Sequence, residues 1–177
     1  MSKAASVSKV AIIIGSDSDL PIVSEACKTL DEFGVKYDVR IISAHRTPET
    51  AASFARTARH DGFRVIISAA GLAAHLPGVL AAYTTLPVIG LPIASGPLAG
   101  QDALLSIVQM PPGIPVASVG INAARNAALL AVEILASSDE SLTDALESYR
   151  EKMKASVLAK DVAIQGKGIK KYLDDGK

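Results

Sequence analysis

The sequence predicts a three-layer α/β domain: a doubly wound parallel sheet with helices on both faces and extra helices at the C-terminal end. Three observations carry this. Five short runs rich in Val, Ile and Leu alternate with segments of helical period. The runs are almost continuously apolar instead of alternating, the pattern of strands covered on both faces. Aromatic residues make up only 4% of the chain and Trp is absent, so the core must be built from compact aliphatic side chains.

The first strand is read at Val10 to Ile14, closed by Gly15, with a helix from about Leu20 to Phe33 and a stop at Gly34. Asp19 suits its N-cap, and Pro21 is tolerable in the first turn. The second strand is Tyr37 to Ile42, read as buried, and its helix runs from Pro48 to about His60. Thr47 is expected to cap that helix, Pro48 fits its first position and Glu49 complements the dipole. The third strand is Val65 to Ala69, followed by a short helix over Ala73 to Thr84 whose start Pro77 could set. The fourth strand, Pro87 to Leu91, leads into a small-residue loop, Pro92 to Gly100, and a helix at Asp102 to Gln109. The fifth, Val116 to Gly120, precedes a long Ala/Leu helix, Ala123 to Ala136. Strict βα alternation implies right-handed crossovers. Five strands fit a flavodoxin-like order best.

The core then spans about 9–137, and 139–177 is a helical extension of the same single domain, 1–177. From Asp139 to Leu158 the residues Leu142, Ala145, Leu146, Tyr149, Met153 and Val157 share one helix face. This tail either folds on its own subunit or docks on a neighbour, and the face around Leu146 and Tyr149 is expected to make subunit contacts. The polar stretch from Gly166 onward is expected to end in a short helix.

Composition excludes several classes of function. With 49% hydrophobic and 20% charged residues the chain is not disordered. It carries 18 basic and 18 acidic residues, so no overall basic field exists to hold nucleic acid. The lone Cys27 cannot form an internal disulfide, reads as a small buried residue, and agrees with a reducing compartment. Met1 to Ser8 lacks the apolar stretch of a signal peptide. Val10 to Ile14 is too short to span a bilayer, and Asn122, Arg125, Asn126 and Glu133 interrupt the Ala-rich stretch Ile114 to Leu135. A cytoplasmic protein is expected.

The chemistry concentrates in three turns at strand ends, where open α/β sheets place their ligands. In Gly15-Ser16-Asp17-Ser18-Asp19, backbone N–H groups and a helix N-terminus suit a phosphate, Ser16 and Ser18 can donate, and Asp19 can accept from ribose hydroxyls. The same residues can also be a polar turn with an Asp cap. In Ser43-Ala44-His45-Arg46-Thr47-Pro48, one of only three histidines stands beside a permanent cation. Together they supply a proton-exchanging group and an anion anchor. In the third turn, Ala70, Gly71, Leu72, His75, Leu76 and their small neighbours allow close backbone approach to a ligand. His75 is there either a second catalytic group or a structural histidine. His60 ends a helix, where a positive charge suits the dipole. The histidines lie in separate elements and no Cys cluster exists, so no metal site is expected. There is no dinucleotide fingerprint, P-loop or serine-hydrolase elbow.

Gly-Ser-x-Ser-Asp at 15–19, Ser-Ala-His-Arg-Thr-Pro at 43–48 and Ala-Gly-x-Ala-Ala-His-Leu-Pro-Gly at 70–78 occur in this order. Leu-Pro-Val-Ile-Gly at 86–90 and Asp-Ala-Leu-Leu-Ser-Ile-Val-Gln-Met-Pro at 102–111 follow. In these motifs the chain closely resembles the PurE family of purine biosynthesis, over roughly Val10 to Ala136. The resemblance implies a mutase that moves a carboxylate from the exocyclic nitrogen of an aminoimidazole ribonucleotide to ring carbon C4, without cofactor or metal. It also implies a homo-octamer with sites between subunits. By the same resemblance Ser16, Asp19 and Arg46 bind the ribonucleotide, with Gly15, Ser18, Ala44 and Leu76 beside them. His45 is the general acid/base, and Ser43, Ala70, Gly71 and the turn around His75 line the carboxylate or CO2 pocket. A related group acts directly on free CO2 and typically has Lys where this chain has Arg46, so Arg46 favours the mutase. Leu72 replaces a glycine common in the family, and Gln101 an aliphatic residue. A direct carboxylase and a non-catalytic nucleotide-binding module are the alternatives.

Overall fold

The computed structural model describes residues 9–175, with the last of these by its backbone only. The leader-free reading of Met1 to Ser8 and the final two residues of the tail lie outside them. A parallel sheet in the order β2-β1-β3-β4-β5 forms the centre. Its strands are β1 (Lys9–Ile14), β2 (Lys36–Ile41), β3 (Phe63–Gly71), β4 (Val88–Ile93) and β5 (Ala117–Ser118). The helices are α1 (Leu20–Glu32), α2 (Pro48–Thr57), α3 (Leu76–Tyr83), α4 (Gln101–Val108), α5 (Ala124–Ala136), α6 (Glu140–Lys167) and α7 (Ile169–Asp175). The order is the flavodoxin-like one, and its switch point lies between β1 and β3.

Alternation along the central strands sends side chains to two separate cores. Val10, Ile12, Ile14, Val65 and Ile67 meet α1 and α5 on one face, through Leu30, Ala127, Ala131 and Val132. Ala11, Ile13 and Ile66 meet α2, α3 and α4 on the other, through Phe54, Leu80 and Ile107. Each buried Val, Leu or Ile stabilises the fold by roughly 1.5–3 kcal/mol. Alanine lets the helices lie close, and Gly90 lets α4 touch the sheet backbone: a Cβ there would stand 2.3 Å from Ile107 Cγ2.

Several expectations need correction. β2 is an edge strand and mostly exposed, because it pairs only with β1 and carries Asp38 and Arg40. Only Ile42, just past its end, is buried. β3 is longer than expected and β5 is only two residues, its other flank unpaired. Pro92 and Ile93 belong to β4, where Pro92 pairs opposite Ala70. α3 begins at Leu76 with Pro77 in its first turn, one residue before the later of the two starts considered. Asp19 makes no side-chain cap; a 3-10 turn over Asp17–Asp19, capped by Ser16, leads into α1 instead. Thr47 does not cap α2 either, because its hydroxyl bonds back to Ser43. α2 ends at Thr57, so His60 lies in a turn beyond the helix, with Asp61 3.6 Å away. Cys27 is half-buried in α1, and burial pushes its thiol pKa up.

The largest departure is the tail. α6 runs 28 residues, about 42 Å at 1.5 Å per residue, because nothing before Gly166 breaks the helical pattern. Asp139 caps its start by accepting from Ser141 N and Leu142 N, and Gly168 at φ +74° ends it. Its first half packs on its own subunit. Leu142 and Leu146 join the α1–α5 core, and Tyr149 lies 5.5 Å from the Phe33 ring centre and accepts from Arg125 Nε at 3.1 Å. The face around Leu146 and Tyr149 is therefore occupied within the chain. Met153, Val157, Leu158 and Val162, further along, are exposed.

Candidate functional site

The turns that end β1, β2, β3 and β4 surround one cleft of about 580 Å3. Every site residue expected from the sequence lines it: Gly15, Ser16, Ser18 and Asp19 from the first turn, Ser43, Ala44, His45 and Arg46 from the second, and Ala70, Gly71, His75 and Leu76 from the third. Leu72, Ala73 and Ser95 also line it. Ser95 was missed. Its one signal was a position just past an apolar strand, in a stretch read simply as a loop.

Parallel strands bring these turns together because their carboxyl ends all point one way. Ile14 of β1 lies opposite Ile41 of β2 and Ala69 of β3, so residues just beyond each are neighbours in space. In the first turn Ser16 Oγ accepts from Ser18 N at 3.3 Å, and Asp19 N donates to Ser16 O at 3.2 Å. These bonds fold the turn against the start of α1, where the positive end of the helix dipole suits an anion. Asp19 is 8% exposed. Desolvation by burial pushes its carboxyl pKa up, against the Ser18 hydroxyl and Ser16 backbone hydrogen bonds that pull it down.

The second turn is cross-braced. Thr47 Oγ1 donates to Ser43 O and accepts from Ser43 N, both at 3.0 Å. Ser43 Oγ accepts from Arg46 N at 3.2 Å and from Arg46 Nε at 3.3 Å. Arg46 Nη2 donates to Gly15 O at 2.7 Å, fastening the second turn to the first. The guanidinium is therefore aimed beside the Ser16–Asp19 turn while most of its N–H donors remain available. Ser43 does more than border a pocket: it orients the cation.

His45 and His75 come together from turns thirty residues apart. His45 Nε2 stands 2.9 Å from His75 Nδ1, with the rings nearly perpendicular and their centres 5.1 Å apart. One nitrogen must donate and the other accept, so His75 holds the orientation of His45 and couples the tautomers of the two rings. Buried Ala70 and Leu76 make this end of the cleft apolar. Gly71 lets the third turn lie close against the fourth: a Cβ there would stand 3.3 Å from Ile93 O and against the Ser95 side chain. Leu72 adopts φ +55°, a left-handed backbone unfavourable for leucine, and is 53% exposed. Its Cδ2 would stand 2.8 Å from a Cβ at Gly96, so it bridges the third and fourth turns. Among the described residues no group of three or more His, Cys, Asp or Glu side chains is placed to hold a metal ion.

Together these groups can anchor a phosphate at one end, hold a sugar by a carboxylate, and exchange a proton over an apolar floor at the other. A family model described as AIR carboxylase matches residues 9–156. A Pyrococcus abyssi protein named N5-carboxyaminoimidazole ribonucleotide mutase is 58% identical over 166 residues, covering 94% of this chain and 95% of its own. A Saccharomyces cerevisiae protein named phosphoribosylaminoimidazole carboxylase is 50% identical over 166 residues, which are 94% of this chain but 29% of that longer one. The crystal structure of Treponema denticola PurE superposes with a TM-score of 0.82 at 32% identity, covering 89% of this chain and 98% of the other.

Proposed function

The chain belongs to the AIR carboxylase family, and on that premise we propose that it is an isomerase, an N5-carboxyaminoimidazole ribonucleotide mutase of purine biosynthesis. It moves the carboxylate from the exocyclic nitrogen to C4 of the same ribonucleotide, giving 4-carboxy-5-aminoimidazole ribonucleotide. The observation that carries the site assignment is the braced second turn. Arg46, tied to Gly15, faces the phosphate cradle, and His45, tied to His75, faces the apolar end.

The roles follow from the chemistry. Ser16, Ser18 and Arg46 bind the phosphate at the start of α1, and Asp19 holds the ribose. Carboxyl migration breaks an N–C bond and forms a C–C bond. The exocyclic nitrogen takes up a proton as CO2 departs, C4 attacks that CO2, and the C4 proton leaves. The two proton transfers cancel, so one histidine can perform both: His45 gives a proton to nitrogen and takes one from C4. Such proton transfer is worth about 10²–10⁴ in rate. Because nothing is oxidised or reduced overall, the reading assigns no cofactor. Ala70, Gly71 and Leu76 supply the apolar enclosure that keeps CO2 in place.

Direct carboxylation of aminoimidazole ribonucleotide by free CO2 is the second reading, favoured by the carboxylase name of the Saccharomyces cerevisiae relative. The mutase is preferred because the mutase-named relative matches almost end to end. Rates on the N-carboxylated substrate and on aminoimidazole ribonucleotide plus bicarbonate separate the two. Faster turnover of the second would overturn the mutase. A homo-octamer working in the cytoplasm completes the proposal. Its supports are the exposed apolar side chains Ile41, Val157 and Val162, and the fact that no helix of the described residues is long and apolar enough to cross a membrane.

A further inference from the structure

The strand order lays the cleft out in sequence. The turns after β2 and β1 supply Arg46 and the phosphate cradle, the turn after β3 supplies Gly71 and His75, and the turn after β4 supplies Ser95. Ser95 therefore sits at the end of the cleft away from the phosphate, on the far side of the third turn. Its Oγ is shielded from solvent and has no hydrogen-bond partner among the described residues. It packs against Gly71, which has no Cβ to exclude it. A shielded hydroxyl without a partner is unfavourable for folding and calls for another reason to be there.

The backbone that carries it is fixed. Ala94 N donates to Asn122 Oδ1 at 2.8 Å, and Asn122 N donates to Pro92 O at 2.9 Å. Asn122 holds this clamp in a left-handed conformation, φ +57°. On the other side Gly100 approaches so closely that a Cβ there would stand 3.0 Å from Ala94 Cα. Because Ser95 Oγ makes no hydrogen bond, rotation about χ1 breaks none, and an acceptor bound in the cleft that Ser95 lines would supply the missing partner.

We propose that Ser95 is a substrate-contacting residue whose hydroxyl donates to the carboxylate in transit, at the end of the cleft opposite the phosphate. A carboxylate only accepts hydrogen bonds, so a hydroxyl proton is the matching donor. This rests on the mutase reading and deepens it: Ser95 keeps the released CO2 and the forming carboxylate over the ring.

Ser95→Ala removes the hydroxyl and little else. Two quantities are compared with the wild type: the thermal midpoint, and the partition of N-carboxylated substrate between C4-carboxylated product and aminoimidazole ribonucleotide with free CO2. The midpoint should be unchanged or higher, since no bond is lost. The fraction of turnovers ending in escaped CO2 should rise roughly tenfold, the size of one lost hydrogen bond to a charged group. An unchanged partition in an active enzyme, even with a slower rate or a lower midpoint, overturns the role of Ser95 alone. A wild type that does not turn over the N-carboxylated substrate removes the mutase reading, and Ser95's part with it.

Discussion

In the cleft, bonds tie one turn to another or brace a turn on itself: Arg46 to Gly15 and His45 to His75 between turns, the Ala94 amide to Asn122, and Thr47 to Ser43 within the second turn. Along the second half of α6, the apolar side chains stand in the open, with Val157 64% exposed. Both regions are helix- or turn-forming sequence with apolar residues in register. They differ in what the residues meet. In the cleft, opposite strand ends supply partners from within the chain, so geometry is over-determined and precise enough for proton transfer. On distal α6 the helix outruns its own domain, and among the described residues its apolar side chains stay exposed.

The sharpest break of that comparison is His45→Asn. It should lower mutase kcat/KM by about 10²–10⁴ with the thermal midpoint preserved. Activity near wild type would remove the proton-transfer role. Arg46→Ala should act mainly on KM, raising it roughly tenfold to a hundredfold through lost charge-assisted bonds. An unaltered KM would detach Arg46 from the phosphate. Third come paired truncations along α6. Leu146→Ala should cost about 2–3 kcal/mol because its side chain is buried in the α1–α5 core. Val157→Ala should cost less than about 0.5 kcal/mol in dilute, dissociated protein. Equal losses would show that distal α6 is not an unoccupied face of the subunit.

The smallest effect concerns Asp19. Its folded pKa is raised above the ordinary value of 3.8 by burial. The folded state therefore binds the proton more tightly, and stability falls as pH rises from about that value through the raised one. Asp19→Asn should raise the thermal midpoint at neutral pH and lose that advantage in acid, while weakening ribonucleotide binding. A midpoint gain that persists unchanged at low pH would show that the carboxylate is not the cause.

Most of the sheet and cleft was legible because local signals and tertiary partners agree there. Apolar runs mark β1, β3 and β4, and the polar turns after β1 and β2 stand out against the aliphatic background. The misreadings share one cause. β2 is apolar enough to look buried, but exposure follows from its edge position, which the strand order decides. Thr47 and Asp19 have the chemistry of helix caps, yet the Thr47 hydroxyl is taken up by Ser43, and Ser16 caps the 3-10 turn that leads into α1. Ser95 escaped notice because serine among Gly, Pro and Ala carries no local mark. Its position shows only when β4 lies beside β3. The Leu146–Tyr149 face could not be assigned to its own subunit until α1 and α5 were seen to pack against it.

The central claim, that the cleft holds the carboxyl group while moving it, is tested most directly by isotope retention. Substrate labelled with 13C at the N-carboxylate, turned over in excess unlabelled bicarbonate, should give C4-carboxylate that keeps the label. Product carrying unlabelled carboxylate would show that CO2 enters from solution, and would contradict the account.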